Sequence, residues 1–188
     1  MALIDLTVEV KKEKWEEIFT NEKMVALGHL GTHFDVMNKT FQIDYSRRTG
    51  MVFDVSSISD RDIELEDISM EKVTPGTFVI FYTGFLEKEG YGTKKYFTEH
   101  PRLSYDLIHA LLKKQVAMIG IDAAGIRRGE EHTPADQVCA DSGVFVVENI
   151  DSLSALMGKT GGRTFTVYTF PIKFEGMSGL PCRVIAEV

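Results

Sequence analysis

Gly28-His29-Leu30-Gly31-Thr32-His33-Phe34-Asp35 places two imidazoles and a carboxylate within seven residues. That donor set suits Zn²⁺, Mn²⁺ or Fe²⁺. The spacing discriminates between backbone shapes. On a helix, His29 and His33 would share a face and Asp35 would point away from it. In extended chain, positions 29, 31, 33 and 35 have one parity and so one face. A straight strand would spread them over roughly 20 Å, yet ligand bonds are about 2.0–2.2 Å long. The chain must therefore curl if the three are to meet, and Gly31 is the residue best able to bend. Buried, hydrogen-bonded histidines on a strand are the competing reading, and H-x-x-x-H alone does not decide between them.

Working outward, short apolar runs dominate the flanking sequence. Residues 2–10, 51–58, 77–85, 116–122, 143–150, 164–172 and 183–188 read as strands, being rich in β-branched and aromatic residues. Residues 100–114 form the clearest helix, with Leu103, Leu107, Ala110 and Leu111 at helical spacing and Pro101 near its opening. Shorter helices are expected at 11–19, carrying Trp15, Ile18 and Phe19, and at 151–158, stopped by Gly158 and the Gly161-Gly162 pair. The charged run Arg127–Pro134, which holds His132, reads as a loop that could form a lid; His100 and His109 are expected to cap a helix or face solvent. The order is mixed and not a strict βαβ alternation, so an α/β sheet with parallel and antiparallel pairs is expected.

The 188 residues fit one domain, 44% hydrophobic and 26% charged. A chain of this length folds without metal or disulfide staples, so any ion it holds is functional. The net charge of −7 argues against nucleic acid or an anionic membrane as a partner. Cys139 and Cys182 read as free thiols. No apolar run reaches the roughly 18 residues of a membrane span, and no leader is apparent; a cytoplasmic protein is expected.

Several ordered segments carry a resemblance. His29-Leu30-Gly31-Thr32-His33-Phe34-Asp35 is similar to the H-x-G-T-H-x-D signature of the cyclase family, which includes bacterial kynurenine formamidase and isatin hydrolase. Ile4-Asp5-Leu6-Thr7 resembles the family's opening strand, and Thr74–Phe85 its P-G-D-x-V-L-x-x-T-G-W segment. His100–Ser104, Gly120-Ile121-Asp122, Val147–Ile150 with Leu153, and the closing Pro181 and Arg183–Ala186 match further family segments in order. The resemblance covers nearly the whole chain. It implies a single α/β domain of the swivelling β/β/α type over residues 1–188. It also implies a divalent metal, zinc or manganese, held by His29, His33 and Asp35, with Glu148 reaching the same centre. A small-molecule substrate and a homo-oligomer are implied as well.

The departures bear on mechanism. Lys39 stands where the family motif D-x-P-x-H ends in histidine, and Asp136 stands where a second histidine is usual. His132 lies four residues from that place, out of register. Gly125 and Arg127 replace a usual serine and aspartate. One reading is that the Lys39 ammonium replaces a second ion and pairs with Asp136; the other is that both are exposed and unrelated. The activity implied by resemblance is hydrolysis of an amide, formamide or cyclic amide. Glu148 or Asp136 would handle protons, and Lys39 would stabilise the oxyanion. A metal-holding binding protein without turnover, or a structural metal site, are the alternatives. Phe78, Phe81, Tyr82 and Phe85 are read as core rather than as a substrate platform.

Overall fold

The computed structural model describes residues 2–11 and 22–188; the helix expected at 11–19 falls almost wholly outside them. Eight strands are present: β1 (Leu3–Asp5), β2 (His33–Asp35), β3 (Arg47–Asp54), β4 (Phe78–Tyr82), β5 (Met118–Ile121), β6 (Phe145–Glu148), β7 (Phe165–Pro171) and β8 (Gly179–Glu187). They form one mixed sheet in the order β1-β8-β2-β6-β5-β4-β3-β7. The runs β3–β4, β4–β5 and β5–β6 are parallel, while β2 and β7 join their neighbours antiparallel. A further antiparallel ladder between β7 and β8 closes seven of the strands into a barrel-like ring, with β1 added alongside β8. The fold is thus the mixed α/β architecture expected, with a closure that no local pattern announces.

Six α-helices lie among the described residues: α1 (Glu22–Ala26), α2 (Phe85–Glu89), α3 (Lys94–Glu99), α4 (Tyr105–Lys113), α5 (His132–Asp141) and α6 (Leu153–Thr160). The alternation of strand side chains builds two cores. Phe78 and Ile80 of β4 point inward with Phe34, Met118, Phe145, Val147 and Val184. Val79 and Phe81 point outward, where Leu107, Ile108 and Leu111 of α4 and Ala135 and Cys139 of α5 cover them with Ile119 and Val146. Both faces of the parallel strands are therefore buried, which is why they read as continuous apolar runs.

This parity positions the chemistry. Phe34 and Val147 face inward, so His33, Asp35 and Glu148 emerge on the outer face. The antiparallel register sets His33 opposite Glu148 and Asp35 opposite Val146. α5 packs against β6 on that same face.

Several boundaries differ from the sequence expectations. α4 opens at Ser104, whose hydroxyl accepts the Leu107 N–H. Pro101 lies ahead of the helix in extended chain, because Leu103 bridges to Ile63 there. Gly158 sits inside α6, and the stop is Gly161 at φ +59°. Arg127–Pro134 is not a free loop. Arg127 is buried, bonded to Asp62, Glu131 and the Leu103 carbonyl, and α5 begins at His132. His109 is exposed, but His100 is buried, with Nδ1 3.0 Å from the Pro101 carbonyl. Both cysteines are free thiols. No described helix is long and apolar enough to cross a membrane.

Candidate metal centre

The bend anticipated at Gly31 is present, with φ at +63°. It turns the chain so that His29, in the loop before β2, returns over the strand. Gly28 makes this possible: a Cβ there would lie 2.0 Å from the Gly179 carbonyl oxygen. The close backbone approach brings His29 Nε2 to 2.8 Å from Ser178 Oγ. His29 Nδ1 then lies 2.9 Å from Asp35 Oδ1 and 3.2 Å from His33 Nε2, and His33 Nε2 lies 3.5 Å from Asp35 Oδ1. Tetrahedral ligands on a zinc-sized ion stand roughly 3.4 Å apart. The three donors thus already have the spacing of a ligand set.

The orientation of His33 is fixed from behind. Its Nδ1 lies 2.9 Å from the Gly31 carbonyl oxygen. A carbonyl only accepts, so Nδ1 carries the hydrogen and Nε2 faces the cluster. The same carbonyl accepts from Asn149 Nδ2 at 2.8 Å, and Asn149 Oδ1 accepts from the Tyr96 hydroxyl at 2.7 Å. Asn149 adopts φ +58°, a left-handed conformation that asparagine tolerates. The turn it makes directly after Glu148 aims its amide back at Gly31.

A second donor set adjoins the first. Asp35, His132, Asp136 and Glu148 offer ligand atoms all within 4.8 Å of one another, as do His29, His33 and Asp35. Glu148 Oε2 is 3.5 Å from His33 Nε2, and its Oε1 is 2.8 Å from His132 Nε2. His132 Nε2 is also 3.1 Å from Asp136 Oδ2. Asp35, Asp136 and Glu148 are all buried. Asp35 Oδ2 and Asp136 Oδ1 have no hydrogen-bond partner among the described residues. Orphaned buried carboxylate oxygens are costly unless something cationic meets them.

Electrostatics agree. Burial disfavours charge on His33, but Asp35 and Glu148 outweigh it and raise its pKa to about 9. Burial likewise opposes charge on His132, yet Glu148 and Asp136 push it up to about 12. Burial and then the Asp35 carboxylate raise Asp136 to about 8. Asp35, despite burial, is held well below the usual carboxylate range by His33 and His29. The three carboxylates draw positive charge from whatever source is present, and a divalent cation fits these residues.

Of the residues singled out from the sequence, His29, His33, Asp35, Asp136 and Glu148 are brought together here. Lys39 is not. Its ammonium lies 2.6 Å from Asp141, both half exposed at the surface, so the Lys39–Asp136 pair does not form. Burial of Asp136 also removes the reading in which both are exposed. His132 is the residue that sequence reasoning set aside as out of register. It lies one turn before Asp136 on α5, and that spacing was the available signal. Gly125 is its counterpart: a Cβ there would lie 3.0 Å from His132 Nε2. His29, His33, His132 and Glu148 line a cavity of about 530 Å³, whose lining also includes Met24, Val25, Tyr91, Phe97 and Ala124. Nothing in the sequence marked Tyr91.

Residues 4–127 match the Cyclase protein family. No curated protein matches. Among solved structures, one described as a potential metal-dependent hydrolase with cyclase activity is 23% identical, with a TM-score of 0.74 over 98% of this chain and 96% of its own. An isatin hydrolase bound to the product analogue thioisatinate is 20% identical, with a TM-score of 0.70 over 84% of this chain and 71% of its own. Isatin hydrolase A from Labrenzia aggregata, bound to benzyl benzoate, is 17% identical at a TM-score of 0.70, covering 84% of this chain and 72% of its own. At these identities the likeness is one of fold.

Proposed function

The chain belongs to the cyclase family, and on that premise we propose that it is a metal-dependent hydrolase of an amide, formamide or cyclic amide bond. The observation that carries the reading is the convergence of His29 Nδ1, His33 Nε2 and Asp35 Oδ1 beside buried carboxylate oxygens that lack any donor among the described residues. His29, His33 and Asp35, with Glu148, would hold a zinc or manganese ion; Asp35, His132, Asp136 and Glu148 offer a second set that shares Asp35. A bound ion supplies an acidified water and polarisation of the scissile carbonyl.

The chain's own groups would do the rest. Asp35 and Glu148 fix the imidazoles. While that second set holds no ion, His132 Nε2 holds a proton between Glu148 Oε1 and Asp136 Oδ2 and lines the cavity, so it can hand that proton to a leaving nitrogen. General acid help of this kind contributes about 10² to 10⁴ in rate. The partly apolar cavity would hold a small substrate and limit the water around it. Lys39 has no part, since its charge is spent on Asp141.

Elemental analysis of the purified protein, with Asp35→Ala as control, tests the ion. Hydrolysis of a formanilide, a lactam and isatin by the metal-loaded protein tests the reaction. Metal at unit stoichiometry or above, lost in Asp35→Ala, together with turnover of one substrate is the expected result. Metal without turnover would favour a binding protein, a reading to which the missing family histidine at position 39 lends weight. Absence of metal after loading would sink both.

A further inference from the structure

The hydroxyl of Tyr91 accepts the Gly31 N–H at 2.8 Å. A backbone N–H can only donate, so this contact uses a lone pair of the phenol oxygen and leaves the phenol proton unassigned. Among the described residues that proton has no acceptor. The ring stands in the wall of the cavity shared by His29, His33, His132 and Glu148.

The other side-chain donors of that wall are committed or charged. Thr98 Oγ1 donates to the Lys94 carbonyl. Asn149 Nδ2 donates to Gly31. Lys94 is an exposed cation. Among the described residues of this wall, Tyr91 is thus the neutral hydroxyl with a free proton, and burial, which raises its pKa, keeps it protonated.

The oxygen is also held in place. Gly31, whose N–H anchors it, is itself pinned at its carbonyl by His33 and Asn149. The ring packs edge-on to Tyr96 and Phe97, with centroids 5.7 and 6.0 Å away. A donor fixed before the substrate arrives costs no reorganisation when charge develops on a carbonyl oxygen.

We propose that Tyr91 is a catalytic residue of this site, its phenol donating a hydrogen bond to the oxygen of the scissile carbonyl as that oxygen gains charge. The inference rests on the hydrolase reading and adds a role that Lys39, bound to Asp141, does not fill.

Tyr91→Phe keeps the ring and removes the hydroxyl. In the metal-loaded protein, kcat on the best of the three substrates should fall about 10²- to 10³-fold, with KM changed less than about threefold and metal affinity unchanged. A second arm does not need turnover: phenylphosphonate, a mimic of the tetrahedral oxyanion, should bind the variant about tenfold or more weakly by calorimetry. Unchanged kcat and unchanged phosphonate affinity would overturn the proposal. A parallel loss of metal affinity would overturn it too, by showing that Tyr91 merely holds the Gly31 turn. If the wild type hydrolyses none of the three substrates, the hydrolase reading fails, and the phosphonate arm still decides whether Tyr91 faces the ligand.

Discussion

The metal-free centre should behave as a proton store that a cation must empty. Asp35 and Glu148 overcome burial and raise His33 to about pKa 9, against about 6.5 in an unfolded chain. A folded-state pKa above the unfolded one contributes stability that is complete below pH of about 6.5 and disappears as pH rises through about 9. Moving the His33 pKa from about 6.5 to about 9 is worth about 3 kcal/mol to the metal-free protein. Asp136, raised to about 8, acts in the same sense at lower pH, because its neutral form is the favoured one. A metal ion that takes His33 Nε2 must displace that proton. At pH 7, two units below the pKa, affinity should be about a hundredfold weaker than above pH 9. Calorimetric titration with Zn²⁺ or Mn²⁺ in buffers of different ionisation enthalpy counts the protons released; urea denaturation of the metal-free protein at several pH values reads the stability. Affinity that is flat between pH 6.5 and 9, or metal-free stability that rises with pH over that interval, would refute the account.

Lys39→Ala should leave metal content and rate unchanged and cost less than about 1 kcal/mol, because its pair with Asp141 is half exposed; a large loss of rate would restore it to the centre. Arg127→Met should destabilise by about 3 kcal/mol, the low end of the range for breaking a buried pair, since Asp62 and Glu131 retain water. Urea denaturation measures that cost, and metal stoichiometry should be preserved, as expected of an anchored segment and not of a lid.

What could be read from the sequence was whatever one element decides alone. The parity of His33 and Asp35, the bend at Gly31 and the buried strand 78–82 are local, and each is present. Ring closure depends on β7 meeting β8 and on β8 bridging to β2, contacts between segments with nothing local to mark them. α5 was missed for a different reason. The charged run Arg127–Pro134, with His132 in it, reads as a loop, and the face that α5 buries is made of Ala135, Asp136, Cys139 and Ala140, too small and polar to register as an apolar stripe. Pro134 is tolerated because it lies in the first turn, where its missing N–H has no partner to lose.

That missed helix also accounts for a departure from the family pattern. A helix returns to the same face after about four residues, so histidine at position 132 and aspartate at position 136 can share a site that the family pattern furnishes from one position. The exchange needs space, and Gly125 provides it: a Cβ there would stand 3.0 Å from His132 Nε2 and 2.8 Å from the Arg127 carbonyl oxygen. Gly125→Ala should therefore act in two ways. The φ of +120° strains any L side chain, at a cost of more than about 1 kcal/mol, and the methyl displaces the His132 ring. Only the second effect depends on the histidine. In a double-mutant cycle with His132→Ala, the Gly125→Ala cost should shrink by about 0.5–3 kcal/mol, the range for residues in contact. Urea denaturation of the metal-free proteins supplies all four corners. Additivity within about 0.3 kcal/mol would mean that the two positions are independent, and that glycine at 125 serves the backbone alone.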